Sequence, residues 1–284
     1  MNMNQKQELS LFAEELYRYM SPATLNQLAI EAGGMKRKRR CHGHHFLSLC
    51  VWLNQQVATT SLTQLCSQLE TSTGVLLSPE GLNRRFNSAS VAFFRTVFTT
   101  LLQAKIGGVS KISHSLSSYF ERTKLLQGIT VYMTNIPTEW VPKEKIYDLY
   151  SLRWQIELLF KIWKSWFQIH RCKSIKQERL ECHLYGQLIS ILLCSSAMFK
   201  MRELLLRKKQ KELSEYKAMY IIKDYFSFFY QALHKNTQEL SKVLLRLFNL
   251  LQHNGRKSHR YEKKTVFDIL GVVYEYTTSI HQVA

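Results

Sequence analysis

The chain has 284 residues, of which 45% are hydrophobic, so it can fill a core, and this length is typical of about two domains. Its net charge of +18 indicates a polyanionic partner, and nucleic acid is the default partner of this kind. The same charge disfavours a basic helical scaffold that has no role in DNA binding. The polar N-terminus lacks the charged-then-apolar order of a signal peptide, and the six cysteines form no CxxC pair. We therefore expect free thiols and a cytoplasmic protein.

Residues 1 to about 105 have mainly helical patterning, which is interrupted by the densest basic run of the chain. That run consists of five consecutive cations, Lys36, Arg37, Lys38, Arg39 and Arg40. In a basic protein such a run is typical of an arm that contacts DNA phosphates without reading the sequence. One cysteine and three histidines follow at residues 41–45, but ligands crowded into five residues disfavour a structural zinc site.

Residues 61–86 have the pattern of a helix-turn-helix. A helical leucine stripe leads into a turn at Gly74, and Ser78 followed by proline is a strong start for a second helix. Arg84 and Arg85 emerge from that second helix, where a groove-reading helix carries its DNA contacts. The alternative is an ordinary helical hairpin with surface arginines.

Residues 129–133 alternate apolar and polar side chains and predict a half-buried strand, the single convincing one in the sequence. A lone strand cannot form a stable sheet. It therefore either pairs with a partner molecule, which favours self-association, or belongs to a loosened core.

Four polar residues follow this strand and project from one face of a predicted helix at about 100° per residue. They are Tyr150, Arg153, Glu157 and Lys164. The adjoining arc is an apolar stripe that would fix the helix against a core, namely Leu149, Leu152, Ile156, Leu159, Phe160, Trp163 and Phe167. The polar row is either a solvated helix edge or a carboxylate held for a metal ion, with two cations placed to grip phosphates. Spacing alone does not decide between the two.

The Tyr-x2-Arg-x3-Glu-x6-Lys string, with the segment GITVYMTNIPTEWVPKEKIYDL before it, resembles the signature region of DDE insertion-sequence transposases. The resemblance is to the insertion-sequence-231 branch of the insertion-sequence-four family. It implies a ribonuclease H-like α/β catalytic domain, Mg²⁺ or Mn²⁺ as cofactor, and double-stranded DNA at the terminal inverted repeats as partner. It also implies that Glu157 is the third metal-binding carboxylate. Tyr150, Arg153 and Lys164 match positions that contact transposon-end DNA or support that glutamate.

Two of the three catalytic carboxylates of this family are missing from the chain. Two-ion strand transfer needs all three, so that one ion activates the nucleophile and the other stabilises the leaving oxygen. Of the three aspartates, Asp148 lies about 180° round the helix from Glu157, and Asp224 and Asp268 lie downstream. The strands that carry the first two carboxylates are missing as well, which indicates an internal deletion near residues 123–127. We predict a catalytically defective chain that does not bind the metal productively.

We predict a mainly α fold with two parts. Residues 1–123 form a helical DNA-binding domain that folds on its own, and residues 128–284 form the remnant of the catalytic domain with a basic helical tail. The apolar run at residues 184–199 is too short and too interrupted for a membrane span and predicts a buried helix. An amphipathic helix is predicted to end at Asn254. Residues 200–264 hold sixteen Lys or Arg against six Asp or Glu, which favours contact with phosphates.

The family's implied function is DNA-mediated transposition by metal-dependent strand cleavage and transfer. The alternative is a non-enzymatic DNA-binding protein that inhibits or regulates the intact transposase, through binding of the ends or through mixed oligomers. Either function places the protein on DNA, so we expect it to be nucleoid-associated.

Overall fold

The computed structural model describes residues 3–33, 41–53, 56–104, 173–209 and 213–256, together with single positions and short runs between 146 and 171. These residues are mainly α-helical, which confirms the predicted fold class, and they contain no β-strand. An antiparallel bridge between Leu213 and Arg256 is present among them. The predicted strand at 129–133 and the predicted domain boundary at 123–128 lie outside the described residues.

The first two helices meet at a capped corner. Helix α1 (Met3–Met20) ends just before Ser21, whose side chain accepts a hydrogen bond from the Thr24 backbone N–H at 3.3 Å. Pro22 then occupies the first turn of α2 (Pro22–Glu31), where a missing N–H costs nothing. Apolar residues at helical spacing form the buried face of α1, namely Leu9, Phe12, Ala13, Leu16 and Met20.

Helix α3 (Gly43–Ser48) continues directly into a π-helix (Leu49–Leu53). Both lie almost wholly in the core, and the side chain of Trp52 is only 7% exposed. Three further helices follow, α4 (Leu62–Thr73), α5 (Pro79–Arg85) and α6 (Ser88–Ala104). The predicted mainly helical character of the first 105 residues is therefore confirmed for the positions that are described.

Helix α7 (Gln177–Lys209) is the central helix of the structure and is much longer than the run predicted from sequence. The predicted burial of residues 184–199 is confirmed, since most of these side chains are buried or half-buried. By length and composition, its segment Gln177–Leu206 could cross a membrane, which the shorter apolar run did not indicate. However, 67% of the apolar window is buried inside the protein, and a core helix meets the same criterion.

Helix α7 also carries buried polar side chains. Arg179 donates hydrogen bonds to the Val57 carbonyl at 3.1 and 2.7 Å and to the Thr60 carbonyl at 2.5 Å, which ties the turn before α4 to α7. His183 is 1% exposed, and neither of its ring nitrogens has a hydrogen-bond partner in the described part of the chain. Burial lowers the pKa of His183 to about 4.

The C-terminal helices are α8 (Glu215–Asp224), α9 (Phe226–Leu233) and α10 (Thr237–Asn254). The Asn236 side chain caps α10 by accepting a hydrogen bond from the Glu239 N–H at 2.9 Å, and Gly255 follows its last residue. The predicted end of this amphipathic helix is therefore confirmed. Its apolar face is buried and consists of Leu240, Leu244, Leu247, Phe248 and Leu251.

Helices from both ends of the chain share one core. Helix α6 packs along α7, and α1 packs along α10, so that residues 1–109 and 162–258 form one compact unit. A second unit comprises residues 110–161 and 259–284, of which few positions are described. That residues 1–123 fold on their own therefore stays a prediction. In the described residues, the apolar faces of α1 and α6 are covered by helices that come later in the sequence.

Candidate functional site

The two helices of the predicted helix-turn-helix, and their caps, are present at residues 61–86. The Ser61 hydroxyl accepts a hydrogen bond from the Gln64 N–H at 3.2 Å, and the Gln64 side chain accepts one from the Ser61 N–H at 3.4 Å. Gly74 ends α4 with a φ of +69°, a conformation that favours glycine. The Ser78 hydroxyl caps α5 by accepting a hydrogen bond from the backbone N–H of the third helical residue at 3.1 Å. The turn glycine and the serine cap that predicted this motif therefore end the first helix and start the second as expected.

The two arginines of α5 have different surroundings. The Arg84 side chain is 78% exposed and pairs with Glu80 one turn earlier, at 2.5 Å. The Arg85 guanidinium is turned inward and donates a hydrogen bond to the Cys41 carbonyl at 3.1 Å. Cys41 directly follows the basic run in the sequence, and residues 36–40 themselves lie outside the described residues. Sequence reasoning missed the Arg85–Cys41 contact, because it joins residues 44 positions apart.

Three histidines of α3 and its cap cluster with a fourth, His234, which directly follows the last residue of α9. The ring centroids of His44 and His45 are 3.8 Å apart, and those of His44 and His234 are 5.2 Å apart. The Asn26 side-chain oxygen lies 2.9 Å from His44 Nδ1. Burial and the neighbouring imidazoles lower the pKa of His44 to about 3 and that of His45 to about 4. His44 and His45 are therefore neutral at neutral pH, and no group of side chains in the described ranges could hold a metal ion.

Three of the four signature positions are described, and all three are helical. Tyr150 is half-buried, whereas Glu157 and Lys164 are exposed; Arg153 lies outside the described residues. The apolar stripe beside them is only partly buried, since Phe167 is fully buried and Phe160 is 52% exposed. The helical state of these positions agrees with the signature helix, and the roles of their side chains stay predictions.

The described residues do not supply a two-ion site. Glu157 is exposed, and Asp224 is an exposed residue at the end of α8. The two remaining aspartates, Asp148 and Asp268, lie outside the described residues. In the described ranges, no group of three His, Cys, Asp or Glu side chains could hold a metal ion, whereas a two-ion site needs three converging carboxylates.

Comparisons with known proteins identify the family. The sequence profile described as Transposase DDE domain matches residues 23–193, which is more than half of the chain. The chain is 35% identical to the transposase for insertion sequence element IS231E from Bacillus thuringiensis subsp. finitimus, over 99% of each chain. It is 33% identical to the IS231C transposase from Bacillus thuringiensis subsp. berliner, over 97% of this chain and 98% of the relative. No solved structure matches the chain.

A third relative, the transposase for IS1151 from Clostridium perfringens, is 36% identical over 59% of this chain and 35% of its own length. The end-to-end alignment with the IS231E transposase runs over 474 positions, whereas this chain has 284 residues. The difference consists of positions at which this chain has no residue. By its profile match and by these end-to-end similarities, the chain belongs to the DDE transposases of insertion sequences, in the IS231 branch.

Proposed function

We propose that this chain binds duplex DNA at the ends of its insertion element but does not cut or join that DNA. The observation that carries the proposal is the carboxylate count, since Glu157 remains while the two aspartates that should precede it have no counterpart. The implied reaction of the family is metal-dependent strand cleavage and transfer, which needs two ions about 3.5–4 Å apart between three carboxylates. One glutamate with water ligands cannot position both ions.

The end-to-end alignment supports the internal deletion. An alignment of 474 positions that takes in 99% of this chain places both ends of this chain opposite both ends of the relative. The missing positions are therefore internal for the most part. A deletion near residues 123–127 would remove the segment that carries the first two carboxylates.

The net charge and the basic run at residues 36–40 support retained DNA binding. The net charge of +18 favours a polyanion, and the log of the affinity for duplex DNA falls by about 0.9 per neutralised phosphate for each log unit of salt. Lys36, Arg37, Lys38, Arg39 and Arg40 form the proposed phosphate-contacting arm. We expect the protein to be nucleoid-associated in the cytoplasm, with the terminal inverted repeats as its preferred DNA.

The second candidate function follows from binding without catalysis. A chain that keeps both ends of a transposase but lacks the catalytic centre would compete with the intact enzyme for the element's ends, or join it in inactive mixed oligomers. The alignment over nearly the whole relative favours this function over an unrelated DNA-binding role. Tyr150, Arg153 and Lys164 would then contribute DNA contacts, whereas Glu157 would not support strand transfer.

The test combines a cleavage assay with a binding assay. The purified full chain is incubated with Mg²⁺ or Mn²⁺ and a duplex from the end of the element that encodes it, and strand nicking is followed on a denaturing gel. We expect no nicking above the level of the Glu157→Ala variant. Binding to the same duplex should persist and should weaken as salt increases. Metal-dependent nicking that is lost in Glu157→Ala would overturn the catalytic defect, and salt-independent or absent binding would overturn the DNA-binding role.

A further inference from the structure

A basic cleft lies between the end of α2, the start of α3, helix α5 and the start of α6. Its volume is about 230 Å³. We propose that this cleft holds a phosphate group of the DNA backbone, an inference that rests on the proposed DNA binding and assigns part of it a site. We call it the arginine cleft, after the two side chains that dominate its charge. Its lining includes His42, Phe46, Arg84, Arg85, Asn87 and Phe93.

The charge of the cleft is one-sided. Arg84 and Arg85 contribute two guanidinium groups, and none of the described side chains that line the cleft is acidic. Glu80 lies one turn before Arg84 and pairs with it at 2.5 Å, but both partners are more than 70% exposed. An exposed pair of this kind contributes little to stability, so an arriving phosphate can replace the carboxylate as the partner of Arg84.

The arginine cleft is held in shape before any ligand arrives. Arg85 is fixed by its hydrogen bond to the Cys41 carbonyl, which uses one of its five donors and leaves the others available. The Asn87 side chain donates to the Arg84 carbonyl at 3.1 Å and accepts from the Ser90 N–H at 3.0 Å. This asparagine therefore joins the end of α5 to the start of α6. A pre-ordered donor set loses less conformational entropy when it binds an anion.

The walls of the cleft strengthen its attraction for an anion. Phe46 and Phe93 are 4% and 2% exposed, and their apolar rings line the cleft, where they reduce screening by water. Helix α6 spans 17 residues and has no acidic side chain in its first turn, so its N-terminal dipole adds a further favourable potential. These features add to the two arginines, which remain the main source of binding.

The position of the cleft relates it to the basic run. Cys41, whose carbonyl is held by Arg85, is the residue directly after the five cations at 36–40. The residue that Arg85 holds is therefore the direct sequence neighbour of the basic run. Contacts to phosphates position a protein on DNA without reading its bases. The inference therefore assigns Arg84 and Arg85 to positioning, which differs from the base-reading role that the helix-turn-helix pattern predicts.

The test measures binding of the full chain to two fluorescent duplexes by anisotropy over a series of salt concentrations. One duplex comes from the end of the element, and the other is a shuffled duplex of the same length and composition. The variants are Arg84→Ala and Arg85→Ala, with Arg85→Lys as a charge-retaining variant in case loss of the Cys41 contact prevents folding. Arg18→Ala is the matched control, because Arg18 is an exposed arginine of α1 that does not line the cleft.

We expect Arg84→Ala and Arg85→Ala to weaken binding of both duplexes by the same factor, about tenfold, and to lower the log–log salt slope by about 0.9. Arg85→Lys should lose less, and Arg18→Ala should bind like the wild type. Glu80→Gln removes the competing carboxylate, so it should bind both duplexes several-fold more tightly.

Three results would overturn the arginine cleft as a phosphate site. Loss confined to the end duplex would mean that the arginines read bases. Unchanged affinity and slope in both alanine variants, in a wild type that does bind, would mean that the cleft contacts no DNA. If millimolar inorganic phosphate raises the Tm of the wild type but not of the variants, while their DNA affinities are equal, the cleft binds a free anion instead. A wild type that binds neither duplex would refute the proposed DNA binding itself.

Discussion

Replacing Gly186 by alanine tests the closest packing contact in the core. Gly186 lies in α7, and a Cβ atom built there would be 2.8 Å from the Cβ of Cys50 and 3.0 Å from the Cys50 carbonyl oxygen in the π-helix. Real Cβ contacts are essentially never under 3.0 Å. The nearby Ser190 hydroxyl also lies 3.2 Å from the Val51 carbonyl oxygen, so the two helices are in contact at more than one point.

Two opposing effects determine the result. Alanine is about 1 kcal/mol better than glycine in a helix interior, which alone would stabilise Gly186→Ala. Overpacking a tight core typically costs about 1–3 kcal/mol, and here the upper part of that range applies because the atoms in the way belong to backbone or to a Cβ. We therefore expect a net loss of about 1–2 kcal/mol in the free energy of unfolding. For a chain of this size, each kcal/mol lost lowers the Tm by about 2–4 °C.

Denaturant unfolding followed by circular dichroism at 222 nm would measure this loss. Gly81→Ala in α5 is the matched control, because the new Cβ would meet only the Ser78 hydroxyl at 3.0 Å, and weakening of that cap, by about 1 kcal/mol, would be offset by the higher helix propensity of alanine. This control should change stability by less than about 0.5 kcal/mol. If Gly186→Ala is as stable as the wild type or more stable, α7 and the π-helix do not approach each other as closely as described.

Three further changes probe the same core. Arg179→Met leaves the Val57 and Thr60 carbonyls without their buried donor, so we expect a loss of about 2–4 kcal/mol by denaturant unfolding, and a loss below 1 kcal/mol would refute these contacts. His183 has a pKa of about 4 in the folded state against 6.5 in the unfolded state. Its contribution to the free energy of unfolding, about 3 kcal/mol, is therefore present above pH 6.5 and is lost as the pH falls to 4. His183→Leu should flatten the dependence of stability on pH in this range, and an unchanged dependence would refute the lowered pKa of His183. Leu244→Ala should cost about 2–5 kcal/mol, because this fully buried leucine lies between α10 and its neighbours, and a loss under 1 kcal/mol would contradict that burial.

Much of the local structure was predictable because its causes lie within a few residues. Ser78 starts α5 by accepting a hydrogen bond from the backbone N–H three positions later, and this cap is where the sequence predicts it. Ser61 starts α4 in the same way, by a local signal of the same kind. Gly74 ends α4 because the positive φ there favours a residue without a Cβ. The end of α10 at Asn254 follows from the same kind of local signal. Each of these interactions involves chain neighbours, so a single sequence is enough to recognise it.

Tertiary contacts were not predictable in this way. Arg179 lies in the first turn of α7 and is only 7% exposed, because it contacts carbonyls about 120 residues away. Gly186 lies in an apolar run, and no local pattern shows that Cys50 approaches it. Arg85 was predicted to face DNA, whereas it holds the Cys41 carbonyl. In each case the partner is distant in sequence, and its identity depends on how whole helices pack.

The shared core is compatible with the proposed internal deletion. In this structure α6 packs along α7 and α1 along α10, so both of these interfaces join a segment before the proposed junction at residues 123–127 to one after it. A deletion between those segments shortens the connection, and loop length changes closure entropy only slowly, by about 0.6 kcal/mol per doubling. The proposed loss of catalysis and the proposed DNA binding depend on different residues, Glu157 for the first and Arg84 and Arg85 of the arginine cleft for the second. They can therefore be tested separately, by the cleavage assay and by the binding assay.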